Sequence, residues 1–179
     1  MDLNKLQASV KSNTGDTLPP VDKWNPDFCG DINMVIKRDG QWFYEGTPVG
    51  RKALVRLFST ILKKENDQYF LVTPVEKVGI QVEDVPFVVT DWDLEGDRIK
   101  VKTLTDDEFF IGEQHPVSLR FDQVSQTPIP YVKVRRNLWA RIHQNVFYQW
   151  AEIATVDEQQ SPAQANMKSG DYQFSIGEY

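Results

Sequence analysis

Cysteine and histidine are nearly absent from this chain of 179 residues: one cysteine, Cys29, and two histidines, His115 and His143. A lone thiol excludes an internal disulfide, and so few soft ligands cannot build a clustered structural zinc site. No histidine stands in a recognisable catalytic relation to Cys29, which makes it a poor nucleophile. Long apolar runs are missing too. No stretch of about 18 hydrophobic residues occurs, and the polar start Met1-Asp2-Leu3-Asn4-Lys5 lacks the charged-then-apolar profile of a signal peptide. The expectation is a cytoplasmic protein with no membrane span, no metal and no cofactor. Cations are outnumbered, 20 Lys and Arg against 26 Asp and Glu, for a net charge of −6. That balance argues against general nucleic-acid binding by phosphate neutralisation.

What is present is a chain that can bury a real interior, 40% hydrophobic and 12% aromatic. Its cations are concentrated. Met34 to Lys64 carries Lys37, Arg38, Arg51, Lys52, Arg56, Lys63 and Lys64 against Asp39 and Glu45. Ile129 to Asn145 carries Lys133, Arg135, Arg136 and Arg141 with no acid. Two basic segments in an acidic protein mean either a local anion site or internal pairing.

The clearest pattern lies in the first segment. Asp39-Gly40, between Met34-Val35-Ile36 and Trp42-Phe43-Tyr44, is a two-residue hairpin signal whose central residues both tolerate positive φ. Gly50 to Lys64 then places Leu54, Leu57, Phe58, Ile61 and Leu62 on one helical face, with Lys52, Arg56, Ser59 and Lys63 opposite. Arg51 and Lys52 fall in its first turn, where free N–H groups favour negative charge. That end calls for an acceptor, either a carboxylate of the fold or an anionic ligand. A nucleotide-triphosphate loop is excluded, because Gly46 to Ala53 has the wrong loop length and lacks the closing hydroxyl. Lys63-Lys64-Glu65-Asn66-Asp67 reads as the charged exit of the helix.

Residues 1–20 read as a loosely docked arm, with Leu3, Leu6 and Val10 at helical spacing before Ser12-Asn13-Thr14-Gly15 stops them. After the helix, strands are expected at Tyr69 to Thr73 and Val75 to Val82, in an N-terminal half of residues 21–85. Adjacent Glu76 and Lys77 point to opposite faces, so one of them turns inward to a partner. From Pro86 the pattern shortens into strands at Phe87 to Leu94, Arg98 to Leu104, Glu108 to Ile111, Val117 to Phe121 and Ile129 to Val134. Leu138, Ile142, Val146 and Trp150 recur at four-residue spacing, which predicts a helix over Asn137 to Ala154. This gives an α+β chain whose C-terminal half, residues 86–154, is a small β-barrel or rolled sheet capped by a helix. Residues 155–179 read as a polar tail, with an edge strand at Tyr172, Phe174 and Ile176 as the alternative.

Val49 to Leu57 also lines up with Val134 to Ile142, 85 positions later: strand end, cation, large apolar residue, arginine, aliphatic. Read as an internal duplication, this gives each half a basic helix start, with Trp42, Tyr44 and Trp139 nearby to line a cleft.

Several of these stretches resemble one family. Lys23-Trp24-Asn25-Pro26, Gly40-Gln41-Trp42-Phe43-Tyr44-Glu45-Gly46-Thr47-Pro48, Arg51 to Phe58, Tyr69 to Val78 and Arg135-Arg136-Asn137-Leu138-Trp139-Ala140-Arg141 are similar to the proteobacterial domain of unknown function 1285. The resemblance covers about residues 20 to 155. It implies a duplicated α+β core, a C-terminal half like a pleckstrin-homology domain, a ligand groove between the halves and a signalling role. It carries over no catalytic residue.

The resulting expectation is a non-enzymatic ligand-binding or signalling module for an anionic small molecule. Arg51, Lys52, Arg56, Lys77, Arg135, Arg136 and Arg141 would hold the charge, and Trp42, Tyr44 and Trp139 would pack on the flat or apolar part. The alternatives are an adaptor with a protein partner, and a hydrolase using Glu76, Asp84 or His115 as acid or base.

Overall fold

Leu3–Lys11 forms a helix, α1, that buries Leu6 and Val10 and packs against a second helix, α2, at Lys52–Ser59. The expected loose arm is therefore corrected: the apolar spacing makes a buried stripe. The computed structural model describes residues 3–11 and 17–179, so the stop at Ser12-Asn13-Thr14-Gly15 lies outside the described residues. The chain divides into two units, Met1–Asp84 and Val85–Tyr179.

The first unit is built on a six-stranded sheet of β1 (Phe28–Ile36), β2 (Trp42–Tyr44), β3 (Thr47–Pro48), β4 (Leu62–Glu65), β5 (Gln68–Val72) and β6 (Lys77–Val82). The order across it is β3-β2-β1-β6-β5-β4. The β1–β2 hairpin forms at Asp39-Gly40, but Gly40 alone of that pair takes positive φ, at 89°. Its amide donates to Lys37 O at 3.0 Å, and Ile36 sits opposite Trp42.

The helix expected from Gly50 to Lys64 is shorter than its apolar pattern. Its last carbonyls are taken by side chains: the Ser59 and Thr60 hydroxyls donate to Arg56 O and Leu57 O, each at 2.6 Å. The chain then enters β4 rather than continuing. Asn66 and Asp67, both at positive φ, turn it into β5 with Glu65 opposite Gln68. Asn and Asp are the side-chain-bearing residues that take left-handed backbone most readily. The supposed charged exit of the helix is thus a strand and a tight turn. What fixes α2 is its core face, where Leu54 and Phe58 are buried, each worth about 1.5–3 kcal/mol.

The second unit repeats this topology. Its strands are β7 (Phe87–Glu95), β8 (Arg98–Thr103), β9 (Glu108–Phe110), β10 (Val117–Asp122), β11 (Thr127–Arg135) and β12 (Leu138–Ile142), ordered β10-β11-β12-β7-β8-β9. In both units two antiparallel three-stranded meanders join through one parallel pair of first and last strands, β1 with β6 and β7 with β12. The halves are therefore similar, as expected, but the alignment of Val49–Leu57 with Val134–Ile142 is not the repeat. It matches α2 to a hairpin. In the first half the helix joins the two meanders; in the second, helix α3 (Gln144–Ile153) follows the last strand.

The helix expected over Asn137 to Ala154 is consequently two elements. Arg136 takes positive φ, at 50°, and turns β11 into β12, where Leu138, Ala140 and Ile142 alternate as buried residues. Strand alternation and a four-residue helical spacing share Leu138 and Ile142, so the pattern alone did not separate them. His143 then caps α3, its Nδ1 accepting from the Asn145 amide at 3.2 Å.

The polar tail is also corrected. Residues 155–179 hold a three-stranded sheet, β13 (Thr155–Asp157), β14 (Gln164–Ser169) and β15 (Tyr172–Glu178). Ala165, Met167, Phe174 and Ile176 are buried, and Phe174 meets Trp150 of α3 with ring centroids 5.9 Å apart.

Candidate functional site

Directly opposed residues of antiparallel strands share a face, and the register across β10, β11 and β12 brings a particular set together. Ser118 lies opposite Tyr131 and Arg120 opposite Ile129. Tyr131 lies opposite Arg141, and Lys133 opposite Trp139. One face of this meander therefore presents Arg120, Lys133 and Arg141 with Tyr131 and Trp139. The Arg120 guanidinium stands 4.3 Å from the Trp139 ring centroid and 5.3 Å from that of Tyr131. Such stacking holds a guanidinium flat and leaves its edge N–H groups available to donate. The nearest carboxylate along the strand, Asp122, is buried and accepts from the Ser125 amide at 2.7 Å.

Two residues expected at an anion site, Trp139 and Arg141, belong to this face. Arg120, Lys133 and Tyr131 were missed, because Arg120 lies outside the basic segment of sequence and only strand register brings it alongside. Arg135 and Arg136 have other duties. Arg135 donates to Asp107 Oδ1 at 2.7 Å and covers the Phe87 ring at 4.8 Å, while Arg136 forms the β11–β12 turn. Neither stands at a helix start.

In the first unit, Arg51 and Lys52 do open α2. Arg51 is its N-cap, with extended backbone and no side-chain cap, and the first turn has no acid. Both side chains are exposed, and among the described residues neither meets a carboxylate. Arg56 is exposed farther along the helix. Lys77 turns inward as one of the Glu76–Lys77 pair was expected to: it donates to Glu65 Oε2 at 2.5 Å and lies 4.3 Å above the Phe70 ring. Lys63 reaches the other oxygen of Glu65 at 3.1 Å. The hydrogen bond from Lys77, then that from Lys63, hold the Glu65 carboxyl below its ordinary range. Trp42 is buried opposite Ile36, and Tyr44 is half-buried opposite Met34 and Thr47.

Family models for the DUF1285 domain of unknown function match the chain twice, the N-terminal domain over residues 19–85 and the C-terminal domain over residues 86–176. The chain belongs to the DUF1285 family. A DUF1285 protein from Silicibacter pomeroyi DSS-3 with a crystal structure is 40% identical, with a TM-score of 0.85, covering 97% of this chain and 94% of that one. A second, from Shewanella baltica OS155, is 28% identical with a TM-score of 0.54, covering 66% of this chain and 90% of that one. No curated protein matches.

DUF1285 membership assigns no reaction. Glu76 and Asp84 lie on either side of β6 in sequence, before its first residue and after its last. Asp84 pairs with Arg38 at 3.6 Å. His115 stacks on Phe109, with centroids 4.4 Å apart, and its Nδ1 lies 3.0 Å from Lys133 O. Among the described residues no group of three His, Cys, Asp or Glu could hold a metal ion, and no helix is long and apolar enough to cross a membrane.

Proposed function

We propose that this DUF1285 protein is a non-enzymatic, cytoplasmic ligand-binding module that recognises an anionic small molecule and signals its presence. The observation that carries the reading is Arg120 stacked on Trp139 beside Lys133 and Arg141, three cations and two aromatic rings on one face of the C-terminal sheet. Guanidinium forks bind carboxylate or phosphate in a bidentate manner, and the half-buried Trp139 ring accepts a flat or apolar group, while Tyr131, buried beneath Arg120, backs the guanidinium. Arg51 and Lys52, at the uncapped start of α2, form a second anion contact on the N-terminal half.

The test is a thermal-shift screen of nucleotides, sugar phosphates and small carboxylic acids, since a ligand that prefers the native state raises its stability by mass action. A stabilising compound should lose its effect in Arg120→Ala and Arg141→Ala. Its effect should persist in Lys100→Ala, whose ammonium is engaged by Glu95 at 3.1 Å. Arg51→Ala reports the second contact separately. A screen without hits, or a hit indifferent to Arg120, defeats the reading, and turnover of a hit makes the protein an enzyme.

A further inference from the structure

A groove of about 710 Å³ runs along the sheet of the first unit. Its apolar wall includes Phe28, Ile32, Val35 and Phe70. Phe28 is 56% exposed although its ring meets Phe70 edge-on at 5.8 Å. An aromatic ring held in place yet open to water is a ready anchor for a partner's apolar side chain.

The floor of the groove carries Asp31. Gly30, at φ 98°, and two register shifts wrinkle β1 here, so that Asp31 pairs with Gly79 of β6. The Asp31 carboxylate lies over Gly79, where any side chain at position 79 would collide with Oδ1. Among the described residues no cation and no hydrogen-bond donor meets that carboxylate. The other acids of the groove differ in this respect: Glu83 is held by Lys37 at 3.2 Å and by the Arg38 amide at 2.8 Å, and Asp67 lies 3.7 Å from Lys64. Three carboxylates against one lysine leave the lining acidic, so its complement is cationic.

We infer that this groove docks an extended segment of a partner protein in which a lysine or arginine reaches Asp31 while a neighbouring apolar side chain covers Phe28. The segment's alternation would match the sheet beneath it, one side chain down to Asp31 and the next but one to the ring. The lining residues all belong to the first unit, so the proposal does not rest on the anion-binding reading.

The experiment uses the full chain, labelled with ¹⁵N, and a capped octapeptide alternating lysine and leucine. A peptide with glutamate replacing lysine and free lysine amide are the comparison probes. The lysine–leucine peptide should shift the amides of Gly30, Asp31 and Gly79. Asp31→Asn should weaken its binding about fivefold, the scale of an exposed ion pair. Gly79→Ala, which keeps the carboxylate but pushes it aside, should weaken binding similarly while an unchanged amide spectrum elsewhere shows the fold intact. Equal binding of the glutamate peptide, no effect of Asp31→Asn, or shifts confined to other residues overturns the proposal. Binding of lysine amide as tightly as the peptide overturns the partner segment and leaves a small-amine site.

Discussion

Arg135 and Asp107 form a mostly buried ion pair in the C-terminal half. The guanidinium donates to Oδ1 at 2.7 Å, while Oδ2 accepts from the hydroxyls of Thr103 at 2.8 Å and Thr105 at 2.6 Å. The side chains are 12% and 18% exposed. Removing one member leaves the other charge buried without its partner, which costs far more than the pair contributes net. Asp107→Ala should lower the unfolding free energy by about 3 kcal/mol, measured in urea. Arg135→Ala should cost a similar amount, and the double variant should cost less than the two added together. Additive losses would show that the pair is not coupled.

Glu65 gives the N-terminal half an acid-sensitive brace. Its carboxyl is held below 4.5 by Lys77 first and Lys63 second. A depressed folded pKa contributes stability that is fully present above the unfolded value and is lost as pH falls through the folded one. Stability should therefore fall from about pH 4.5 downward, and Glu65→Gln should flatten that limb. The side chain is 35% exposed, so screening keeps the effect near 1 kcal/mol or below. Urea midpoints at several pH values provide the measurement, and high salt should reduce the difference.

Individual strands were more legible in the sequence than the way they join. The five strands expected between Phe87 and Val134 all exist, because period-2 alternation between turn residues is a local signal. The two misread helices share one cause: each merged a strand with the helix beside it. The helix expected from Gly50 to Lys64 ran on past Ser59 into β4, and the one expected from Asn137 to Ala154 took in β12 ahead of α3, because apolar residues four positions apart fit both periods.

The candidate site was legible only in part for a related reason. Arg141 and Trp139 sit in an evident basic cluster, but Arg120 joins them through the pairing of three strands, a non-local relationship that no window of sequence contains. Arg135 looked like a ligand group because a cation's intramolecular partner, here Asp107, lies 28 residues away. The duplication was expected, yet its register was wrong: short amphipathic segments look alike whether they fold as helix or strand.

The N-terminal helix should matter to stability. Leu6 is fully buried, and α1 packs on α2. Leu6→Ala should cost about 2–5 kcal/mol, whereas Lys5→Ala, on an exposed position, should change little. A negligible loss for Leu6→Ala in thermal or urea unfolding would return this segment to the status of an arm.

The last 25 residues should prove equally structural, despite their Gln- and Ser-rich composition. Ile176 is fully buried, and Ser169 Oγ accepts the Ile99 amide at 2.9 Å, so β14 completes a hydrogen bond that β8 would otherwise leave unmade in the interior. Trp150 is shielded partly by Phe174. Ile176→Ala should therefore cost about 2–5 kcal/mol. Removing residues 155–179 should do more, exposing Trp150 and the Ile99 amide together. The near-ultraviolet circular dichroism of the C-terminal aromatic residues should then collapse while the far-ultraviolet strand signal is partly retained. A truncated chain with an unchanged aromatic spectrum and melting temperature would show that the third sheet is only attached to the core and does not complete it.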